Sequence, residues 1–174
     1  MSVFLRGFMI DNDREKVAKV KGKVGLAEFD KRIEKKHYFP TKLYPIEESL
    51  IRQKTAAEII YGKTDAEAYR KLGIWDYKLM QDTQIGKVIF KLFSSTLEKT
   101  IENFKKLMET FYTGLNCDIE NMQGNKADFV FGNDPYPETY FQGLIEEGVR
   151  SFQKIPQIKI EQIGVKRIFH LTWE

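Results

Sequence analysis

The sequence is poor in cysteine and histidine and contains no long hydrophobic run. Its 174 residues include one cysteine, Cys117, and two histidines, His37 and His170. A single cysteine excludes an intramolecular disulfide framework and any metal site built from several cysteines. No apolar stretch approaches the roughly 20 residues that a membrane-spanning helix needs, and the first residues turn acidic too soon for a secretory signal. We therefore expect a cytoplasmic protein without a membrane span.

The composition is that of a globular protein with a substantial core. Hydrophobic residues make up 42% of the chain, aromatic residues 13%, and 28 basic residues against 25 acidic ones leave a net charge of +3. We expect one domain over residues 1–174. The basic stretch at 31–36 is interrupted by Glu34 and has no recognition motif beside it, so we predict no nucleic-acid partner.

Helical spacing of apolar residues dominates residues 11–112. Gly62 ends one helix, and Thr64 with Glu67 three residues later has the pattern of a helix start. Ser94 or Ser95 is expected to cap the last helix of this half. The full pattern predicts a strand within 3–10, two short helices in 14–36 divided at Gly22 and Gly25, an aromatic loop at 37–45, and helices at about 45–61, 64–80, 82–93 and 95–111.

The last two of these helices are expected to supply much of the core. In the helix at 82–93 we predict that Ile85, Val88, Ile89 and Phe93 face inward. In the following helix the apolar spacing is four, three, four and three residues, which is the most regular stripe in the chain. That stripe consists of Leu97, Ile101, Phe104, Met108 and Phe111.

After Gly114 the apolar period changes from helical to strand-like. One hairpin is predicted from 115–122 and 127–131, and a second from 156–163 and 165–173, with a helix at 136–152 between them. A ββαββ sheet of this kind needs a helical layer on one face. The predicted class is therefore α+β, with an N-terminal helical half at about 11–112 packed on an antiparallel ββαββ half at about 115–174.

The residues with the most chemical potential do not form a catalytic motif. The sequence has no glycine-rich phosphate loop, no nucleophile elbow and no paired-histidine metal motif. Cys117 has no nearby histidine and is favoured as a packed thiol, and His170 as a solvent-facing or hydrogen-bonded strand residue. His37 belongs to an aromatic loop that could border a cavity, but a structural role is favoured. We predict no catalytic residue, no metal ligand and no enzyme.

Several landmarks follow one another in a recognisable order. They are Leu72-Gly73, Ile85-Gly86, the helix through 140–152 and the terminal Trp173. Together they resemble a bacterial family of unknown function that is abundant as paralogues in myxobacteria. More distantly, the helical half followed by ββαββ is similar to the superfamily of haem nitric-oxide-binding domains, 4-vinyl-reductase-type domains and vesicle-tethering subunits of the Golgi transport complex.

The distant resemblance implies a haem site only if its ligands are present. The haem-binding group uses an axial histidine on a helix in the middle of the chain and a Tyr-x-Ser-x-Arg clamp on the propionates. Between Pro45 and Phe111 this sequence has no histidine, and the clamp occurs nowhere in it. We therefore predict no cofactor and do not expect haem; His37 would be an improvised ligand.

The resemblance implies a cavity or a dimer surface between helices and sheet. Our first hypothesis is a non-catalytic, sensor-like domain that binds a small hydrophobic ligand and signals to a separate protein. The alternative is a dimeric protein-interaction scaffold without a ligand. The residues expected to line the pocket are Phe104, Met108, Phe111, Phe129, Phe141 and Leu144.

Overall fold

The structure is a computed structural model that describes residues 2–93 and 95–174. The N-terminal half contains β1 (Phe4–Arg6), α1 (Gly7–Ile10), α2 (Asn12–Arg32), β2 (Leu43–Pro45), α3 (Ile46–Tyr61), α4 (Ala66–Asp82), α5 (Gln84–Phe93), α6 (Leu97–Glu102), α7 (Phe104–Phe111) and β3 (Tyr112–Thr113). The C-terminal half contains β4 (Cys117–Gln123), β5 (Lys126–Phe131), α8 (Glu138–Arg150), β6 (Pro156–Ile163) and β7 (Lys166–Trp173).

The C-terminal strands form the antiparallel ββαββ sheet that the sequence predicts. Their order is β4-β5-β7-β6, and Phe129 of β5 lies opposite Phe169 of β7. Along β7 alternate residues are buried, as period-two patterning requires, whereas β5 buries Phe129, Val130 and Phe131 in succession. The α+β class is thereby confirmed. The buried residues of the two central strands are Ala127, Phe129, Val130, Phe131, Phe169, Leu171 and Trp173.

A second, smaller sheet in the N-terminal half was not predicted. Its strand order is β2-β1-β3, and Leu5 of β1 pairs with Tyr44 on one side and Tyr112 on the other. The strand predicted within 3–10 is therefore limited to three residues, and α1 follows it directly. Because the partners of Leu5 lie far away in sequence, no local pattern revealed this sheet.

The predicted helix boundaries hold in outline and differ at several ends. The backbone of α2 leaves helical geometry at Gly22, whose φ of 62° suits a residue without a Cβ, so the predicted division lies there. The cap of α4 is Asp65 rather than Thr64, because the Asp65 carboxylate accepts a hydrogen bond from Ala68 N. The cap of α6 is Thr96 rather than Ser95, and the alternative cap Ser94 lies outside the described residues.

Two further expectations for the helical half are wrong. The helix predicted at 95–111 is divided at Asn103 into α6 and α7. In α5, Ile89 is buried, but Ile85 and Val88 are 40% and 59% exposed rather than inward. The helix lies at the edge of the core, and only one side of it contacts the rest of the molecule. Phe93 was also predicted to face inward, but its side chain is not among those that the structure describes.

Helices α4 and α8 cross at unusually short distance. A Cβ placed on Gly73 of α4 would lie 2.0 Å from Tyr140 O, and one on Gly143 of α8 would lie 1.9 Å from Arg70 O. Only glycine permits this approach of two backbones. Arg70 also forms an ion pair with Glu146 of α8, with 2.9 Å between Nη2 and the carboxylate oxygen. The crossing fixes the angle at which the helical half meets the sheet.

None of the helices in the described ranges combines the length and the apolar character that crossing a bilayer requires.

Replacing either crossing glycine by alanine should destabilise the protein. In Gly73→Ala and Gly143→Ala the new methyl group meets backbone atoms, which cannot rotate away, so we expect a loss of about 2 kcal/mol or more in the free energy of unfolding. Gly148→Ala in α8, the helix of Gly143, is the control. Its Cβ would lie 3.3 Å from a Tyr77 ring carbon, which is a side-chain atom and not backbone. That variant should change stability by less than about 1 kcal/mol. Urea unfolding measures all three, and equal effects would contradict the crossing.

Candidate functional site

A cavity of about 40 Å³ lies between the helices and the sheet. Helix α4 contributes Tyr77 and Met80, α6 contributes Ile101, and α8 contributes Val149. Phe129 of the central strand β5 lies on the sheet side. Apolar residues recur every three or four positions along each helix, so each helix has one apolar face. Because these faces turn towards the sheet, their side chains meet in one place. The cavity is thus an apolar space at the junction of the helices and the sheet.

The structure brings five of the six predicted pocket residues to this cavity. Phe141 is the exception: it is fully buried and stacks on Phe131, with 4.5 Å between the ring centroids. It lies one turn before Leu144 and Ile145 in α8, where aromatic packing leaves no space. The predicted residues that line the cavity are Phe104, Met108, Phe111, Phe129 and Leu144.

The polar groups at the edge of the cavity are engaged with other partners. The Tyr77 hydroxyl lies 3.0 Å from Ser151 Oγ, and the Thr100 hydroxyl donates to Thr96 O at 2.8 Å. The Tyr112 hydroxyl donates to Tyr136 at 3.3 Å. The interior is therefore lined almost entirely by carbon and sulfur, with no counter-charge among the lining residues. Such a site favours an uncharged, apolar occupant.

A row of tyrosines leads from the cavity into a buried polar region. Tyr112 contacts the cavity and hydrogen-bonds Tyr136, whose ring stacks on Tyr140 with 4.4 Å between the centroids. The Tyr140 hydroxyl donates to Asp76 Oδ2 at 2.9 Å. Burial raises the pKa of all three phenols, so they stay protonated and act as hydrogen-bond donors.

The row ends at a buried ionic cluster, which we define as Asp13, Lys16 and Asp76. Lys16 Nζ lies 2.6 Å from Asp13 Oδ1 and 2.9 Å from Asp76 Oδ2, and all three side chains are buried. Burial alone would lower the pKa of Lys16, but the two aspartates raise it. Burial raises the pKa of Asp13 to about 6, against the opposing effect of Lys16. Two buried carboxylates thus share one ammonium group, and Tyr140 and Asn12 also donate hydrogen bonds to Asp76.

Sequence reasoning missed this cluster, although a signal was present. Asp76 follows Ala68 and Leu72 at intervals of four, which places a carboxylate on the apolar face of α4. Asp13 and Lys16 are three residues apart at the start of α2, so they share one face. A charged residue on an apolar stripe indicates a buried partner. The identity of that partner follows only from the packing of α2 against α4, which the sequence does not show.

Both histidines lie away from the cavity. His170 is on the outer face of the sheet, with Nδ1 2.8 Å from Asp128 Oδ1 and Nε2 3.0 Å from Glu161 Oε2. The hydrogen bond with Asp128, and then that with Glu161, raises the pKa of His170. His37 is exposed and contacts Phe39, with ring centroids 4.8 Å apart.

Cys117 is buried at the start of β4. Desolvation raises the pKa of its thiol to about 12, which keeps it protonated and unreactive. Within the described part of the chain, no three or more His, Cys, Asp and Glu side chains are grouped so as to hold a metal ion.

The family model described as "Protein of unknown function (DUF2378)" matches residues 17–174. The chain belongs to this family. No curated protein matches the sequence. Membership in DUF2378 therefore defines the relatives of the chain and leaves its activity open.

The solved structures that this DUF2378 member resembles are H-NOX proteins. The H-NOX protein from S. oneidensis in the Fe(II)NO ligation state has a TM-score of 0.80 at 10% identity, covering 98% of this chain and 99% of that chain. The Fe(II) unliganded H-NOX protein from K. algicida has a TM-score of 0.73 at 12% identity, covering 98% of this chain and 97% of that chain. The H-NOX-like fold predicted from the order of segments is thus confirmed.

The cavity does not fit a haem. Its volume of about 40 Å³ is far below the ~300 Å³ at which pockets for larger organic ligands begin. The lining offers neither imidazole nor thiolate, and its two phenols, Tyr77 and Tyr112, contact other hydroxyl groups. Haem iron is usually held by histidine or cysteine, less often by tyrosine or a Met/His pair.

Removing the buried ammonium group should be costly. In Lys16→Met, Asp13 and Asp76 lose their shared cation while remaining buried, so we expect a loss of about 3–5 kcal/mol in the free energy of unfolding. Lys19→Met is the matched control on the same helix, since Lys19 forms an exposed pair with Glu15. Its effect should stay below about 1 kcal/mol. Chemical unfolding of both variants is the measurement, and similar losses would argue against the cluster.

The pH dependence of stability should carry a contribution from His170. Because its pKa is raised in the folded state, the ion pairs with Asp128 and Glu161 stabilise fully below the unfolded pKa of about 6.5 and weaken as the pH rises through the folded value. The strand partner Lys159 also faces this histidine. In the parent chain the urea midpoint should therefore fall as the pH rises above about 6.5. In His170→Gln this part of the fall should be absent. An unchanged profile would contradict the assignment.

Proposed function

We propose that this protein is a non-catalytic, sensor-like domain whose cavity accepts a small, uncharged, hydrophobic ligand. The observation that carries the proposal is the apolar cavity between helices and sheet, in which each hydroxyl group at the edge has another partner. A charged or strongly polar ligand would be buried there without a hydrogen bond or a counter-ion. The H-NOX-like fold supports the proposal because it places the cavity between the helical half and the sheet.

The size of the cavity limits the ligand to a few heavy atoms unless side chains move. Met9, Met80 and Met108 are among the lining residues, and methionine adapts its shape at low cost. A larger apolar ligand can therefore be admitted by rotation of these thioethers. The preformed space of about 40 Å³ is smaller than the ~150 Å³ of an engineered cavity that binds benzene or xenon, so a small ring enters only when these side chains move.

The ligand would be detected through a change in helix packing. Tyr77 lines the cavity, and its ring also contacts Phe90 of α5, with 5.2 Å between the centroids. A ligand that displaces Tyr77 favours a different position of α5, and the shift in population is visible at the surface. We propose that a separate protein recognises this change, and that the domain works without haem and without catalysis.

A dimeric protein-interaction scaffold without a ligand is the second candidate. It is supported by Ile163 and Val165 at the tip of the β6–β7 hairpin, which are 55% and 80% exposed. Aliphatic side chains at such exposure mark surfaces that another molecule can cover. A tight dimer that carries no small molecule in native mass spectrometry would favour this candidate over the sensor.

Small apolar probes should stabilise the protein through the cavity. Benzene at one hundred times its dissociation constant should raise the free energy of unfolding by about 2.7 kcal/mol. In Leu144→Phe the larger side chain occupies the cavity, and the effect should disappear. Leu115→Phe is the matched control, because Leu115 and Leu144 are both 9% exposed and Leu115 is not a lining residue. Urea unfolding with and without the probe gives the result.

Three outcomes would contradict the sensor. In the first, xenon, benzene and naphthalene all leave the unfolding curve unchanged, and in the second, Leu144→Phe responds to them as the parent chain does. Native mass spectrometry of the purified protein provides the third test, since a bound haem would show that the cavity opens far beyond the space described here. A co-purified small hydrophobic molecule would support the proposal and identify the ligand.

A further inference from the structure

Helix α5 exposes an apolar stripe, which we define as Ile85, Val88 and Leu92. Their exposed fractions are 40%, 59% and 71%. The spacing of three and then four residues places all three on one side of the helix. Ile89, four residues after Ile85, borders the stripe and is buried, and the neighbouring Phe90 contacts Tyr77. The apolar surface of the helix is thus buried along one edge, while the stripe itself is exposed among the residues that the structure describes.

Both charges that α5 itself carries are positive. Lys87 and Lys91 are exposed, α5 contains no acidic residue, and the exposed Asp82 lies two residues before the helix begins. Neither lysine has a carboxylate partner in residues 2–93 and 95–174, as is also true of other surface lysines such as Lys21. Unpaired cations beside exposed aliphatic residues are suited to a partner that combines apolar and acidic groups.

The width of the stripe indicates what kind of surface it meets. One apolar residue per turn, at intervals of three and four, is the seam that one helix presents to another. A helix that lies in a membrane surface needs a broader apolar face, commonly with aromatic residues. The stripe itself consists of three aliphatic side chains. A helical protein partner therefore fits it better than a lipid surface does.

A second copy of the chain fits less well. In a two-fold symmetric contact the same patch meets itself, so Lys87 and Lys91 of one copy would approach those of the other. Like charges at an interface oppose association. The complementary partner has the opposite sign of charge.

We propose that the stripe on α5 docks an amphipathic helix of another protein whose apolar seam is flanked by Asp or Glu. The seam of the partner packs on Ile85, Val88 and Leu92, and its carboxylates reach Lys87 and Lys91. The contact is small, so it is weak and readily reversed. This inference concerns a surface outside the cavity and stands whether or not the cavity holds a ligand.

A synthetic peptide provides the test with the full chain. The probe is a fluorescein-labelled helix of about three heptads, with Leu along its seam and Glu at the flanking positions. The control peptide has Lys in place of each Glu. Fluorescence anisotropy should show that the chain binds the Glu peptide, that added salt weakens the binding, and that the Lys peptide binds at least about tenfold more weakly.

Two surface variants locate the site. Val88→Ser with Leu92→Ser should weaken binding of the Glu peptide about tenfold or more, because the lost side chains supply the apolar contact. Val24→Ser on α2 is the control, since Val24 is 82% exposed and distant in sequence from α5. Lys87→Glu with Lys91→Glu should reverse the preference, so that the Lys peptide binds better. These exposed substitutions leave the core intact, and circular dichroism confirms folding.

The proposal is overturned by any of four results. The Glu peptide does not bind, it binds all variants equally, or the Lys87→Glu, Lys91→Glu variant keeps the original preference. The fourth is a different occupant: vesicles of phosphatidylcholine and phosphatidylserine bind the parent chain but not the serine variant, or sedimentation shows a dimer that the serine variant loses. If the apolar probes do not bind the cavity, the sensor is refuted and the proposal for this surface is unaffected.

Discussion

The close crossing of α4 and α8 is the constraint on which the rest of the structure depends. At Gly73 and Gly143 the two backbones approach to a distance that a side chain would prevent. The α8 helix belongs to the ββαββ unit and α4 to the helical half, so this contact joins the two halves directly. Every side chain that meets across the junction takes its position from that approach.

Helix α4 borders two different interior regions, one ionic and one apolar. Asp76 and Tyr77 are neighbours in α4, yet Asp76 joins the buried ionic cluster while Tyr77 lines the apolar cavity. Successive residues of a helix point about 100° apart, so one helix can serve both regions. The tyrosine row beginning at Tyr112 connects them through hydrogen bonds and ring stacking. The apolar cavity is thus bordered on one side by a buried polar network.

The relation to H-NOX proteins concerns architecture, and the chemistry of the site is this chain's own. The cavity lies between helices and sheet, as the ββαββ arrangement leads one to expect, but Phe104, Phe129 and three methionines occupy its walls. The edge-on contact of Phe104 and Phe129, with centroids 4.7 Å apart, shows how closely the interior is filled. A shared fold can therefore enclose very different interiors, because the fold fixes the backbone and the side chains fix the space.

The sequence by itself determined the elements whose signals are local. The two hairpins with turns at Gly124 and Gly164, the helix ended by Gly62 and the class of the fold follow from apolar period and turn residues. Five of the six residues expected to line a pocket border the cavity, because the apolar period of a helix or a strand assigns a face without knowledge of what that face meets. Their role as a binding site stays a prediction.

Only the tertiary structure decided what each face meets. The exposure of Ile85 and Val88, the pairing of Leu5 with two distant strands and the meeting of Lys16 with Asp76 all depend on contacts between residues far apart in the chain. Periodicity shows that a side of a helix is apolar, but the same pattern serves a core, a cavity or a docking surface. Which of these it becomes is set by the arrangement of the other elements, and no local pattern encodes that arrangement.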